Sequence, residues 1–138
     1  MNEHERPSPT INLFKSEKSN VAFFEAGEIV MKIGDKGDCM YVVQEGQLEV
    51  RAADGSLVET VGPGGIVGEM ALVDDAPRSA TVVAKVDSRV VPLNQEQFMG
   101  HVHRTPFFAL QVMRIMTDRF RHRIALSEGT HSHTASEE

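Results

Sequence analysis

Tryptophan is absent from this 138-residue chain, and tyrosine and cysteine occur once each. With no Trp and a single Tyr, an aromatic stacking platform for single-stranded nucleic acid is not expected. The lone Cys39 forms no internal disulfide, which fits a reducing cytoplasm. Positive charge is also scarce. Fourteen Lys and Arg face twenty Asp and Glu, for a formal net charge of −6. An acidic chain is a poor non-specific nucleic-acid binder. No apolar run approaches the roughly 20 residues that span a bilayer. The opening MNEHERPSPT lacks the apolar core of a secretory signal. The expectation is a soluble, cytoplasmic chain with no membrane partner. Its length suits one domain, and a chain of this size buries roughly 68% of its unfolded surface.

What is present begins with strand signals. Residues 1–11 and 128–138 are polar and are expected to be disordered tails around a domain at 12–126. Within it, Asn20–Glu25, Glu28–Lys32, Met40–Val43, Gln47–Ala52, Leu57–Val61, Thr81–Val86 and Arg89–Leu93 are short runs separated by Gly- and Asp-rich turns. Asp54-Gly55 predicts a tight hairpin, because both residues tolerate positive φ. Many short strands at near-regular spacing, over about 20–93, predict a sandwich or barrel-like jelly roll. The period then changes. Asn94 and Gln97 form a capping-box pattern opening a short helix over 94–101. Thr105-Pro106 opens a second helix over 105–127, with Pro at its first position and a stop before Gly129.

One stretch breaks the strand pattern. Residues 62–84 read GPGGIVGEMALVDDAPRSATVVA. Gly64, Gly65 and Gly68 let the backbone approach a ligand closely. A short helical piece over Glu69–Val73 begins just after Gly68, and its free N–H groups suit an anion. Arg78 supplies a cation shaped for phosphate oxygens, and Ser79 a hydroxyl beside it. Glu69 would repel a phosphate, but it suits a sugar hydroxyl at the other end of the same ligand. Phosphate and ribose held together describe a nucleotide monophosphate. Alone, Arg78 reads as a surface ion pair with Asp74 or Asp75, and Glu69 as a first-turn carboxylate.

Gly68-Glu69-Met70-Ala71-Leu72, five intervening residues and Arg78-Ser79-Ala80-Thr81-Val82 together resemble the phosphate-binding cassette of cyclic nucleotide-binding domains. That family includes catabolite-activator (Crp/Fnr-like) regulators, cyclic-nucleotide-dependent kinases and gated channels. Phe24–Ile29, Gly34, Gly37-Asp38, Met40-Tyr41 and Glu45-Gly46 extend the resemblance over about residues 20–124. It implies a mainly β fold: an eight-stranded double-stranded β-helix (jelly roll) with a cassette and a long C-terminal helix serving as lid or dimer helix. It further implies cAMP or cGMP as ligand. Glu69 and the Gly68 backbone would take the ribose 2′-hydroxyl. Arg78, Ser79 and the Ala71 and Ser79 N–H groups would take the cyclic phosphate. Gly68, Glu69, Met70, Ala71, Arg78 and Ser79 are the expected ligand residues, with Val67, Thr81 and Arg123 at the margin. Ser79 leaves the choice of base open.

The chain departs from the family pattern in three places. Only Ile11–Lys18 precedes the first strand, so the usual leading helix is expected to be short or missing. No winged helix-turn-helix follows the long helix, so direct DNA reading is not expected. The lid stretch Arg119–Ile124 offers arginines, centred near Arg123, in place of small hydroxyl residues.

Other constellations give weaker signals. Leu110, Met113, Thr117, Phe120 and Ile124 fall at alternating three- and four-residue spacing, a short coiled-coil seam that predicts a homodimer. His101-Val102-His103 has metal-ligand spacing, and a cupin-like metal-dependent enzyme is the rival reading. Its pair follows the last strand and lacks a convergent third ligand, so no metal is expected. With no catalytic constellation, the expectation is a non-enzymatic cyclic-nucleotide receptor that signals by movement of its C-terminal helix. A degenerate barrel acting as an interaction or dimerisation module is the alternative. The output is expected in an effector protein, in the dimer, or in chain beyond these residues.

Overall fold

The computed structural model describes residues 20–137, with side chains as far as residue 125. The expected leading tail and the short Ile11–Lys18 segment lie outside the described residues. Strands β1 (Ala22–Phe24), β2 (Ile29–Met31), β3 (Cys39–Glu45), β4 (Leu48–Arg51), β5 (Leu57–Val61), β6 (Ile66–Val67), β7 (Thr81–Ala84) and β8 (Ser88–Asn94) precede two helices, α1 (Gln95–Arg104) and α2 (Phe107–Glu137). The strands form two four-stranded antiparallel sheets, in the orders β1-β8-β3-β6 and β2-β7-β4-β5.

Alternation along the strands explains why both sheets pack. In β3, Val43 points between the sheets while Met40 and Val42 point outward, all fully buried. In β8, Val90 goes inward, and Val91 and Leu93 outward. The inward set (Val30, Val43, Leu48, Val61, Val67, Val82, Ala84, Val90) is the barrel core. The outward set meets Phe108, Val112 and Ile115 of α2. A strand covered on both faces reads as an unbroken apolar run, as Met40–Val43 does.

Three expectations change in detail. The sequence places no strand in 62–80, yet Ile66 and Val67 pair with Val42 and Tyr41 of β3. Two residues are too short a run to show a period of two. At the β4–β5 turn only Gly55 has positive φ, at 86°, and no non-glycine residue does. The Gly55 N–H donates to Ala52 O and the Ala52 N–H to Ser56 O, each at 2.9 Å. Asp54 keeps ordinary dihedrals and accepts the Ser56 N–H at 2.9 Å and hydroxyl at 2.6 Å, which lowers its pKa. A turn with one left-handed glycine therefore replaces the two-residue hairpin. Third, the helices run longer than their sequence signals. The capping box is formed, since Asn94 Oδ1 accepts the Gln97 N–H at 2.8 Å and Gln97 Oε1 the Asn94 N–H at 2.9 Å. α1 then continues to Arg104. α2 starts one residue after Pro106 and passes through Gly129 to Glu137. A single interior glycine costs only about 1 kcal/mol relative to alanine, and no proline follows to stop the helix.

Candidate anion-binding cavity and its helix contact

The cassette folds as the sequence suggests, with a 3-10 turn over Glu69–Leu72 after Gly68 at φ 76°. It lines a cavity of about 330 Å³, within the size range of small-molecule sites. Val67, Gly68, Glu69, Met70, Ala71, Arg78, Ser79 and Arg123 all line it. Thr81 does not. Its hydroxyl accepts the Ile33 N–H at 3.1 Å and joins β7 to the loop after β2.

Arg78 is 8% exposed. Its Nη2 donates to Cys39 O at 2.8 Å and its Nη1 to Gly68 O at 3.3 Å. Its backbone is pinned as well, the N–H donating to Asp35 O at 2.8 Å and the carbonyl accepting from Gly34 N at 2.9 Å. Neither Asp74 nor Asp75 pairs with it, and Asp74 Oδ1 instead accepts the Ala76 N–H at 2.8 Å. A guanidinium has five donors, and these two carbonyls are neutral. Arg78 is thus a nearly buried cation with no carboxylate partner among the described residues, an arrangement that favours capture of an anion.

Two glycines make room for it. A Cβ on Gly37 would collide with the Arg78 guanidinium. At Gly68 a Cβ would lie 2.6 Å from Arg78 Nη1. Tyr41 lies nearby, and burial pushes its phenol up to about 12, with the Cys39 thiol adding to the rise and the Arg78 charge opposing it.

Glu69 has a different partner. Arg119 of α2 donates from Nη1 to Glu69 Oε1 at 2.7 Å, from Nε to Glu59 Oε1 at 2.9 Å and from Nη2 to Ile66 O at 2.9 Å. All three side chains are largely covered, Arg119 being 13% exposed. Glu59 and Arg119 both line the cavity; Arg119 opens the expected lid stretch, whereas Glu59 is not among the expected ligand residues. The signal was there for Arg119. The buried stripe Phe108, Val112, Ile115 continues at helical spacing to position 119, so a charge there must find a buried partner. Arg123, one turn on, is exposed at the cavity edge. A second cavity of about 680 Å³ lies between β5, the turn at Gly62-Pro63 and α2, sharing Val58, Glu59, Arg119 and Arg123 with the first.

The histidine pair stands apart from this region. His101 is buried in α1 with its ring 5.5 Å from Phe108, while His103 is exposed. Among the described residues, no group of three His, Cys, Asp or Glu side chains is placed to hold a metal ion, and no helix is long and apolar enough to cross a membrane.

Two packed antiparallel sheets carrying a helix on one outer face, with a buried arginine and a carboxylate lining one cavity, define a mainly β fold with a charged cavity between cassette and helix. Residues 21–104 match the cyclic nucleotide-binding domain family, and the chain belongs to it. It is 37% identical over 91 residues to a cAMP-dependent protein kinase regulatory subunit of Dictyostelium discoideum, covering 58% of this chain and 28% of that one. Among solved structures, the catabolite activator protein of Thermus thermophilus superposes with a TM-score of 0.68 at 27% identity, over 78% of this chain and 53% of that one. A structure described by a cyclic-GMP-dependent signalling pathway that regulates bacterial phytopathogenesis gives 0.64 at 30% identity, over 74% and 84%. The chain spans under a third of the length of the kinase subunit. The family is a regulatory domain, generally non-catalytic.

Proposed function

We propose that this chain is a non-enzymatic receptor for cAMP or cGMP whose C-terminal helix moves with ligand. The observation that carries this reading is Arg78, a nearly buried cation held only by neutral carbonyls at the wall of a nucleotide-sized cavity. The cyclic phosphate takes the remaining Arg78 donors, the Ser79 hydroxyl and the N–H groups of Ala71 and Ser79. The ribose 2′-hydroxyl donates to Glu69.

Movement follows from what Glu69 already holds. Arg119 ties α2 to Glu69, so a ribose hydroxyl arriving there alters the contact that fixes the helix. Ligand shifts the helix to the extent that it binds one helix position more tightly than the other. The output surface is the outer face of α2. Leu110, Met113, Phe120 and Ile124 are 39–64% exposed, and Thr117 is exposed between them. This is the seam spacing of a homodimer, in which one chain's helix would cover its partner's. The same exposed seam favours the second reading, a barrel that serves only as a dimerisation module.

Calorimetric titration with cAMP and cGMP separates the two. Binding at micromolar concentrations or tighter by the wild type, lost in Arg78→Ala, supports the receptor. A silent wild type that sediments as a dimer supports the module.

A further inference from the structure

The geometry points to Glu59 as the residue that selects the base, and to guanine as the base selected; this rests on the cyclic-nucleotide reading above. Arg78, Ser79, Gly68 and Ala71 occupy the phosphate end of the cavity, with Glu69 beside them. Glu59 lies on β5, outside the cassette sequence and one guanidinium's width from Glu69. The Arg119 guanidinium spans the two carboxylates, with Nη1 2.7 Å from Glu69 and Nε 2.9 Å from Glu59. A nucleotide with its phosphate on the cassette and its ribose on Glu69 has one substituent left, the base. It extends toward Glu59, Arg119 and Arg123, the charged groups that line this side of the cavity. Met31, Val50 and Val58 supply apolar wall for the ring faces.

The charges there match one purine edge. Guanine presents two adjacent donors, N1–H and N2–H, spaced like the two oxygens of a carboxylate, and two acceptors, O6 and N7, that suit an arginine. Adenine presents an N1 lone pair where the carboxylate needs a donor, and an amino group where the arginine needs an acceptor. Glu59 keeps capacity for guanine while bound to Arg119. A single donor, Nε, is shared between its oxygens at 2.9 and 3.2 Å. A carboxylate has about four lone-pair sites.

Competition titrations of the whole chain with cGMP, cAMP and cIMP, the analogue of cGMP lacking the 2-amino group, test the assignment. Wild type is expected to bind cGMP about tenfold or more tightly than cAMP, and more tightly than cIMP. Glu59→Gln is expected to cut the cGMP preference about fivefold or more while moving cAMP affinity less than about threefold. The comparison of cGMP with cIMP on wild type needs no substitution and stands even if that variant folds poorly. Equal or tighter binding of cAMP by wild type overturns the guanine assignment and leaves the receptor reading standing. So does equal weakening of both nucleotides in a folded Glu59→Gln. Binding of neither nucleotide overturns both.

Discussion

Two arginines line the same cavity, one from the barrel and one from α2, and their surroundings are opposite. Arg78, on the barrel side, is held by the carbonyls of Cys39 and Gly68 and meets no carboxylate among the described residues. Arg119, on the helix side, is held by two carboxylates and one carbonyl. Both are largely buried, at 8% for the residue and 13% for the side chain. The difference teaches what each is for. A guanidinium stripped of water and given only neutral acceptors retains most of its positive field, so it attracts an incoming anion. A guanidinium between two carboxylates attracts no further anion, but it fastens the element that carries it. On the proposed reading Arg78 serves the ligand, while Arg119 ties α2 to the cassette and to β5.

The contrast breaks most visibly at Arg78. Arg78→Ala is expected to weaken cyclic-nucleotide binding by about 100-fold or more, since each charge-assisted hydrogen bond contributes about 1.5–3 kcal/mol. Binding that survives within tenfold would move the phosphate site elsewhere. Arg119→Ala comes next. It leaves Glu59 and Glu69 facing one another without their shared cation. The expected loss of stability is about 1–3 kcal/mol, below the range for a fully buried pair because Glu59 retains some exposure. Denaturant melts read the loss, and faster amide exchange in the middle of α2 would show that the tie had been released. An unchanged melt would make the contact an idle surface pair.

Gly37→Ala sharpens the comparison from the barrel side. The added methyl would occupy space taken by the Arg78 guanidinium, which must then swing off its carbonyls. About tenfold weaker nucleotide binding with a near-native melt is expected, since the loop is partly exposed and can absorb the shift. An unaltered affinity would mean that Arg78 tolerates more than one position. The same variant should leave Arg119 and the exchange pattern of α2 untouched, because Glu59, Glu69 and Ile66, which hold Arg119, are not among the groups that a methyl at Gly37 meets.

Much of this was readable in the residues before any coordinates. The cassette stands out because its chemistry is local: Gly68, Glu69, Arg78 and Ser79 lie within a dozen positions and line one cavity. Seven of the strands and the capping box at Asn94 are likewise short-range signals. What escaped depends on distant partners. β6 is two residues long and exists through its pairing with β3. Glu59 looks like one polar residue in an alternating strand, and it becomes part of the cavity when a helix 60 positions away lays Arg119 on it. Thr81 matches the family motif, but the loop after β2 takes its hydroxyl. α2 runs past the stop expected before Gly129, because a lone glycine with no proline after it does not end a helix.

The smallest expected effect concerns Tyr41, the only tyrosine in the chain and therefore visible alone in the ultraviolet. Burial raises its phenol from 10 to about 12, against the opposing charge of Arg78. A group whose pKa is raised by folding favours the folded state while both states are protonated. Its contribution is whole below pH 10 and is lost as pH climbs from 10 to about 12, because the unfolded phenol ionises first. Tyr41→Phe should therefore flatten the fall in stability between pH 10 and 12, read from urea melts at stepped pH. Wild type should show a phenolate midpoint near 12 in the native state and near 10 in urea. The arginine contrast adds a direction. If the Arg78 charge is unmet, then Arg78→Ala removes the influence that favours the phenolate, and the native midpoint rises further. A bound nucleotide phosphate, by neutralising Arg78, should push it the same way. Arg119→Ala should leave it still, since Arg119 is not among the charges that shift this phenol. A midpoint that ignored Arg78 and followed Arg119 would reverse the roles assigned to the two sides of the cavity.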